Sequence, residues 1–208
     1  MAVWPDPIAV IRQRLMPEPE VIDDVLDLEP DWLPDPPHAQ PPVLAAVLIA
    51  LVERSEGFHI LFTLRASALR AHSGQVAFPG GKIEAADADP AAAALREAEE
   101  EVALDPGDAE VLGYLPSYFT GSNYLITPVV AAVRPRAPFR PNPIEVSHLF
   151  EVPLALLCRP EAYGTYRIER HGVTHSTWLV DYDGHTIWGI TANLTRRFFE
   201  MALAETAR

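Results

Sequence analysis

Positive charge is scarce in this chain: 16 lysines and arginines stand against 29 aspartates and glutamates in 208 residues, a formal net charge of −13 with histidine neutral. Such a surplus of carboxylates repels a phosphate backbone and excludes general nucleic-acid binding by a basic face. An anionic small substrate could bind only with a cation bridging it to the acid. Cysteine is nearly absent. Cys158 alone closes no internal disulfide and is too few for a cysteine zinc site, so a reduced, intracellular compartment is expected. Long apolar runs are missing as well. The longest, Val43 to Val52, is ten residues ended by Glu53, where a spanning helix needs about 20, so it reads as a buried strand and no membrane partner is expected. Asp6 and proline interrupt the first residues, no basic stretch leads into an apolar one, and Thr206-Ala-Arg208 is no peroxisomal address. The expected location is cytoplasmic. The 49% apolar share is enough to build one core.

Proline is unevenly placed: ten of 21 lie within residues 1–42, mixed with Asp23, Asp24, Asp27, Glu29, Asp31 and Asp35. Residues 1–40 therefore read as an acidic, proline-rich N-terminal extension ahead of one domain over 41–208. It has room for a first helix over Val3–Leu15 and an extended linker over Leu33–Pro42. Beyond it, Val43–Val52 and Phe58–Leu64 predict paired strands around a polar turn. Further strands are expected at Val76–Phe78, Ala109–Leu115, Tyr124–Val133, Tyr163–Ile168, Val173–Val180 and His185–Gly189. Pro135–Pro143 reads as a second proline-rich loop, Pro153–Leu157 as a short helix, and Thr191–Ala207 as a terminal amphipathic helix. Strands interspersed with a few helices, without internal repeats, give an α/β or α+β domain.

Asp89 followed by Pro90 is a helix start, and Asp105-Pro-Gly107 a stop, so the spacing predicts a helix over 89–103. On its wheel, Ala91, Leu95, Ala98 and Val102 fall on one side and Glu97, Glu100 and Glu101 on another. Three carboxylates within one turn repel one another, and a positive charge should offset them. Mg²⁺ prefers such oxygen ligands and binds substrate phosphates at the same time. The ordinary use of an acidic run is a solvated face. The context argues otherwise, because a Gly80-Gly81 turn precedes the helix and lets backbone approach a phosphate or metal without a Cβ in the way.

Residues Gly81 to Leu104 resemble the Nudix box, Gx5Ex7REUxEExGU with U aliphatic: Gly81 matches the first glycine, and Arg96, Glu97, Ala98, Glu100, Glu101 and Leu104 match REUxEE and the last aliphatic position. Asp87 stands where the first glutamate belongs, the gap from it to Arg96 is one residue longer than in the pattern, and Ala103 replaces the final glycine. The extra residue should lengthen the loop and leave the glutamate spacing intact. Ala103 is harmful only if its position demands a left-handed backbone. Upstream, Leu61 to Gly81 (LFTLRASALRAHSGQVAFPGG) is similar to the signature LLTxRxxxxRxHxGxxxFPGG of coenzyme A pyrophosphatases, matching at Thr63, Arg65, Arg70, His72, Gly74, Phe78, Pro79, Gly80 and Gly81. Ile126-Thr-Pro-Val-Val and Ile187-Trp-Gly-Ile-Thr-Ala resemble stretches of the same proteins more weakly.

The resemblance implies an α/β/α sandwich with a mixed sheet and Mg²⁺- or Mn²⁺-dependent attack of water on the pyrophosphate of coenzyme A or an acyl derivative. Glu97, Glu100 and Glu101 would ligate metal, and Arg96 would hold a glutamate in its rotamer. Glu100 and Glu145 are rival general bases. Arg65, Arg70, His72, Gly80, Gly81 and Lys82 would bind substrate, arginine forks matching phosphate oxygens in pairs. An aromatic among Tyr118, Phe119 and Tyr124 could stack on adenine, with core packing the ordinary fate of at least two of them. Trp178 and Trp188 are expected in the core and Cys158 as a small buried residue. Competing readings are a Nudix hydrolase of ADP-ribose or a dinucleotide, and a catalytically silent nucleotide-binding domain. Monomer and homodimer stay open.

Overall fold

Residues 43–52 are aliphatic on both parities, the pattern of a strand buried on both faces. In the computed structural model, which describes residues 7–22, 38–66, 74–170 and 173–204, they lie in β1 (Val43–Arg54), the central strand of an eight-stranded mixed sheet. β1 turns tightly into antiparallel β2 (Gly57–Arg65) and runs parallel to β7 (Tyr124–Val133), in register from Val43↔Tyr124 to Val52↔Val133. Because β7 occupies one edge of β1 along its whole length, the other edge is shared. Residues 51–54 pair with β2, while Ala45, Ala46 and Val47 pair with β4 (Gly80–Lys82). β3 (Val76–Ala77) and β8 (Val146–Pro153) pair with β2, and β5 (Ala109–Tyr114) and β6 (Tyr118–Phe119) with β7.

Alternation along β1 assigns its two faces. Ala46, Leu48, Ala50 and Val52 pack with Ala94, Ala98 and Val102 of α2 (Pro90–Val102). Ala45, Ile49 and Leu51 join the opposite core with Ile11 of α1 (Pro7–Arg14) and Leu194 and Phe198 of α4 (Ile190–Phe198). The layers are α/β/α, as expected. Ile11 is fully buried, and removing such a side chain from water contributes about 2 kcal/mol, enough to pin a two-turn helix to the domain. A short helix, α3 (Leu154–Leu157), follows β8, and a three-stranded antiparallel sheet carries β9 (Gly164–Arg170), β10 (Val173–Tyr182) and β11 (His185–Trp188) in the order β11-β10-β9.

Several expectations shift. Helix Val3–Leu15 is described over Pro7–Arg14, residues 3–6 lying outside the described ones. The terminal helix is α4 followed by a wider π turn over Phe199–Leu203, with 205–208 outside the description. Gly80-Gly81, read as a turn, is strand, because two residues without Cβ atoms let β4 lie against β1. β8 was not anticipated at all; its pairing partners, His59 to Arg65, lie about 90 positions upstream.

Candidate active site

α2 begins where the sequence places it. Asp89 caps it by accepting from Ala92 N at 2.8 Å, Pro90 occupies the first turn, and the helix ends at Ala103 in the left-handed conformation, φ 56° and ψ 36°. The position where the family pattern has glycine thus does demand a left-handed backbone, and alanine bears the strain here. Helix periodicity sends the alanines to the sheet and turns Arg96, Glu97 and Glu101 toward β4. A Cβ on Gly81 would run into the Glu97 carboxylate, and one on Gly80 into the backbone of Ala46 and Val47. The two glycines therefore serve two approaches, strand to strand and carboxylate to strand.

Arg96 organises the acidic cluster. Its Nε and Nη2 grip Asp87 at 3.0 and 3.1 Å, Nη1 donates to Glu97 Oε1 at 3.1 Å and to Glu100 Oε2 at 3.3 Å, and Nη2 also donates to the Lys82 carbonyl at 3.1 Å. The Asp87 carboxyl is held below its usual range, chiefly by Arg96 and then by the Glu84 N–H. Asp87 thus does the gripping from the place of the pattern's glutamate, and the longer gap is absorbed before an unbroken helix.

Glu101 is 2% exposed. Burial pushes its carboxyl up to about 7, opposed by the Gly80 N–H at 3.3 Å and Arg65 Nη1 at 3.9 Å, while Glu97 and Glu145 raise it further. Glu97 is raised too, first by burial and, beyond the opposing pull of Arg96, by Glu100 and Glu145. Glu145 faces this pair because its loop is stitched to the end of α2: Arg140 N donates to Val102 O and Asn142 N to Glu101 O, both at 2.9 Å, and Ala66 N donates to Glu145 O at 2.8 Å. The Glu100 carboxylate, by contrast, is 54% exposed on the outer side of Arg96 and does not line the cleft.

Glu97, Glu101, Glu145, Arg65, Gly80, Gly81 and Lys82 border one cleft of about 590 Å³. Arg65 Nε is buried without a hydrogen-bond partner among the described residues. Arg70 and His72 lie outside the described residues. The opposite wall comes from β9–β11 and the start of α4, including Ile168, Thr177, Trp188, Ile190 and Asn193, which sequence reasoning did not place at the site. Their only signal was the Ile187-Trp-Gly-Ile-Thr-Ala stretch. Trp188 lines the cleft rather than the core, and Trp178 is 39% exposed under the Arg196 guanidinium. Tyr118 and Tyr124 are part-buried against the core, Phe119 is part-buried, and Tyr124 also lines the cleft. Cys158 is part-buried, and burial pushes its thiol up to about 11, which keeps it unreactive.

The family model described as the NUDIX domain matches residues 42–166. A protein named as an uncharacterized Nudix hydrolase, NudL, from Escherichia coli (strain K12 / DH10B) is 46% identical over 159 residues, covering 76% of this chain and 81% of that one. The chain belongs to the Nudix family. NudL of Salmonella newport (strain SL254) is 45% identical over the same span, and the crystal structure of RenU, a Nudix hydrolase from M. smegmatis, overlays with 21% identity and a TM-score of 0.46, covering 56% of this chain and 73% of that one. This Nudix protein is accordingly a pyrophosphohydrolase, and such enzymes generally use Mg²⁺ or Mn²⁺.

The donor set suits such an ion. Glu101 is a buried carboxylate whose nearest positive partners are one N–H and a guanidinium nitrogen at 3.9 Å, with two further carboxylates, Glu97 and Glu145, raising its pKa. A hard divalent cation relieves that arrangement. Among the described residues no three acidic, imidazole or thiol groups are already gathered closely enough to enclose an ion, and Arg96 pairs with both Glu97 and Glu100.

Proposed function

We propose that this Nudix hydrolase cleaves the pyrophosphate of coenzyme A or an acyl-coenzyme A, releasing 3′,5′-adenosine bisphosphate and 4′-phosphopantetheine or its acylated form. The observation that carries the reading is Arg65, supplied by the segment that resembles the coenzyme A pyrophosphatase signature. It stands beside buried Glu101 on the cleft, its buried Nε without a hydrogen-bond partner among the described residues, as a phosphate-directed fork would.

Glu97 and Glu101 would hold the metal from inside the cleft, with Glu100, on the outer side of Arg96, as a further ligand. The bound Mg²⁺ or Mn²⁺ supplies charge neutralisation at the diphosphate oxygens and lowers the pKa of water. Arg96, gripped by Asp87, keeps Glu97 in its rotamer. Arg65, with Arg70 and Lys82, positions phosphates, and Gly80 and Gly81 keep the floor open to them. Glu145 is the general base in preference to Glu100, because it faces the carboxylate pair across the cleft while Glu100 faces solvent. The water oxygen forms its bond to one phosphorus, Glu145 takes its proton, and the bridging P–O bond breaks with its electron pair leaving on the departing phosphate.

Parallel kcat/KM measurements with coenzyme A, 3′-dephospho-coenzyme A and ADP-ribose test the substrate. Coenzyme A is expected to lead ADP-ribose by at least about tenfold, one arginine–phosphate contact's worth. A lead for ADP-ribose would overturn the assignment and leave the hydrolase.

A further inference from the structure

The wall opposite the glutamates carries one polar group whose orientation is fixed and whose capacity is not used up. Asn193, in the first turn of α4, accepts at Oδ1 from Thr177 Oγ1 at 2.7 Å and from Trp178 N at 3.1 Å, and donates from Nδ2 to Tyr118 OH at 2.8 Å. The Trp178 N–H can only donate, so the amide cannot flip. A carboxamide offers two acceptor sites and two donor hydrogens. Both acceptor sites and one hydrogen are engaged, and among the described residues nothing takes the second Nδ2 hydrogen of this side chain, which borders the cleft. Around it the wall sets the apolar side chains of Ile168, Trp188, Ile190 and Leu194 beside the polar ones of His175, Ser176, Thr177 and Thr191. Arg65 and Lys82, the only lysine or arginine bordering the cleft among the described residues, both lie on the glutamate side.

We propose that Asn193, held by Thr177 and the Trp178 amide, is a specificity residue that donates to an amide carbonyl of an uncharged, amide-bearing arm of the substrate lying on the wall formed by Ile168, Trp188 and Leu194. This rests on the coenzyme A reading and assigns the two halves of that substrate to opposite walls. The adenosine half carries a 3′-phosphate and belongs beside Arg65 and Lys82. Among its described residues this wall has no lysine or arginine and only the His175 imidazole, so the guanidinium and ammonium partners for that phosphate are on the glutamate side. The pantetheine half alternates methylene segments with amides, and it matches a wall that mixes apolar and polar side chains and carries, in Asn193, a donor of fixed direction.

The two half-molecules are the probes. Binding of 4′-phosphopantetheine and of 3′,5′-adenosine bisphosphate is measured by calorimetry in Mg²⁺ for the wild type, Asn193→Ala and Asn193→Asp. The aspartate variant keeps acceptors for Thr177 and the Trp178 N–H and can accept from Tyr118, so it preserves the wall while removing the donor. Both variants are expected to weaken 4′-phosphopantetheine about tenfold, the scale of one hydrogen bond, and to leave the bisphosphate unaffected. Generalised damage would weaken both probes. Loss confined to the bisphosphate, equal loss of both in the aspartate variant, or no change in either overturns the inference. Wild-type turnover of coenzyme A in the same buffer keeps the outcomes apart: turnover without the split defeats the role of Asn193 alone, whereas absence of turnover defeats the substrate reading as well.

Discussion

Replacing Glu101 with glutamine should make the metal-free protein more stable and the enzyme inactive. A solvated glutamate titrates near 4.5, and burial pushes Glu101 up to about 7. Between those values the folded chain keeps a proton that the unfolded chain has released, so folding weakens as pH rises; above 7 the folded state carries the full cost of a buried anion. The charged groups facing it are Arg65, which favours the anion, and Glu97 and Glu145, which oppose it. Linkage between 4.5 and 7 gives a cost of about 1 kcal/mol at pH 5.5 and up to about 3 kcal/mol at pH 8. Glutamine keeps the shape and an acceptor for the Gly80 N–H but has no charge to desolvate. Urea unfolding in EDTA, followed by tryptophan fluorescence, should therefore show Glu101→Gln more stable than wild type by an amount that grows from pH 5.5 to 8. Adding Mg²⁺ should raise the wild type and close the gap, since a ligand of the folded state alone stabilises it. A variant less stable than wild type at pH 8, or a difference that ignores pH, would refute the claim that this carboxylate is held in the fold against its own desolvation.

Other substitutions probe separate parts of the account. Ala103→Gly should relieve the left-handed strain at φ 56° and stabilise by about 1 kcal/mol, raising Tm by roughly 2–4 °C in calorimetry; a lower Tm would contradict the cap geometry. Gly81→Ala should push Glu97 from its seat on β4 and lower kcat at least about tenfold while circular dichroism stays native; normal kcat would show that the close approach has no role in turnover. Arg96→Lys keeps the charge but loses the paired grip on Asp87, and kcat should fall by about tenfold or more, full activity arguing for a purely electrostatic role. Glu145→Gln should lower kcat by about 10²-fold or more, well beyond Glu100→Gln; the reverse ranking would transfer the general base to Glu100.

The legible parts of the molecule are those decided by neighbours in sequence. The Asp89-Pro90 start and the glutamate spacing of α2 depend on one helical turn at a time, and β1 announces itself by its aliphatic run. What was hidden depends on partners far along the chain. β8 reads Val146-Ser-His-Leu-Phe-Glu-Val-Pro153 without a turn signal, and it becomes strand by pairing with β2. Gly80-Gly81 carries the local signature of a turn, yet the absence of two Cβ atoms is used for packing against β1 and Glu97. Trp188 looked like core and Asn193 drew no notice, because nothing local says that β11 and α4 face α2 across a cleft. Glu145 likewise reaches the cleft through hydrogen bonds that tie the Arg140–Glu145 loop to the end of α2, contacts that no local pattern announces.

The central claim is met most directly by mass-spectrometric identification of the products after the purified full chain is incubated with coenzyme A and Mg²⁺ or Mn²⁺ in ¹⁸O-labelled water. The account predicts 3′,5′-adenosine bisphosphate and 4′-phosphopantetheine in equal amounts, one of them carrying a single labelled oxygen, and no product in EDTA. Intact coenzyme A after prolonged incubation with either ion, or release of the 3′-phosphate with the diphosphate left whole, would contradict it.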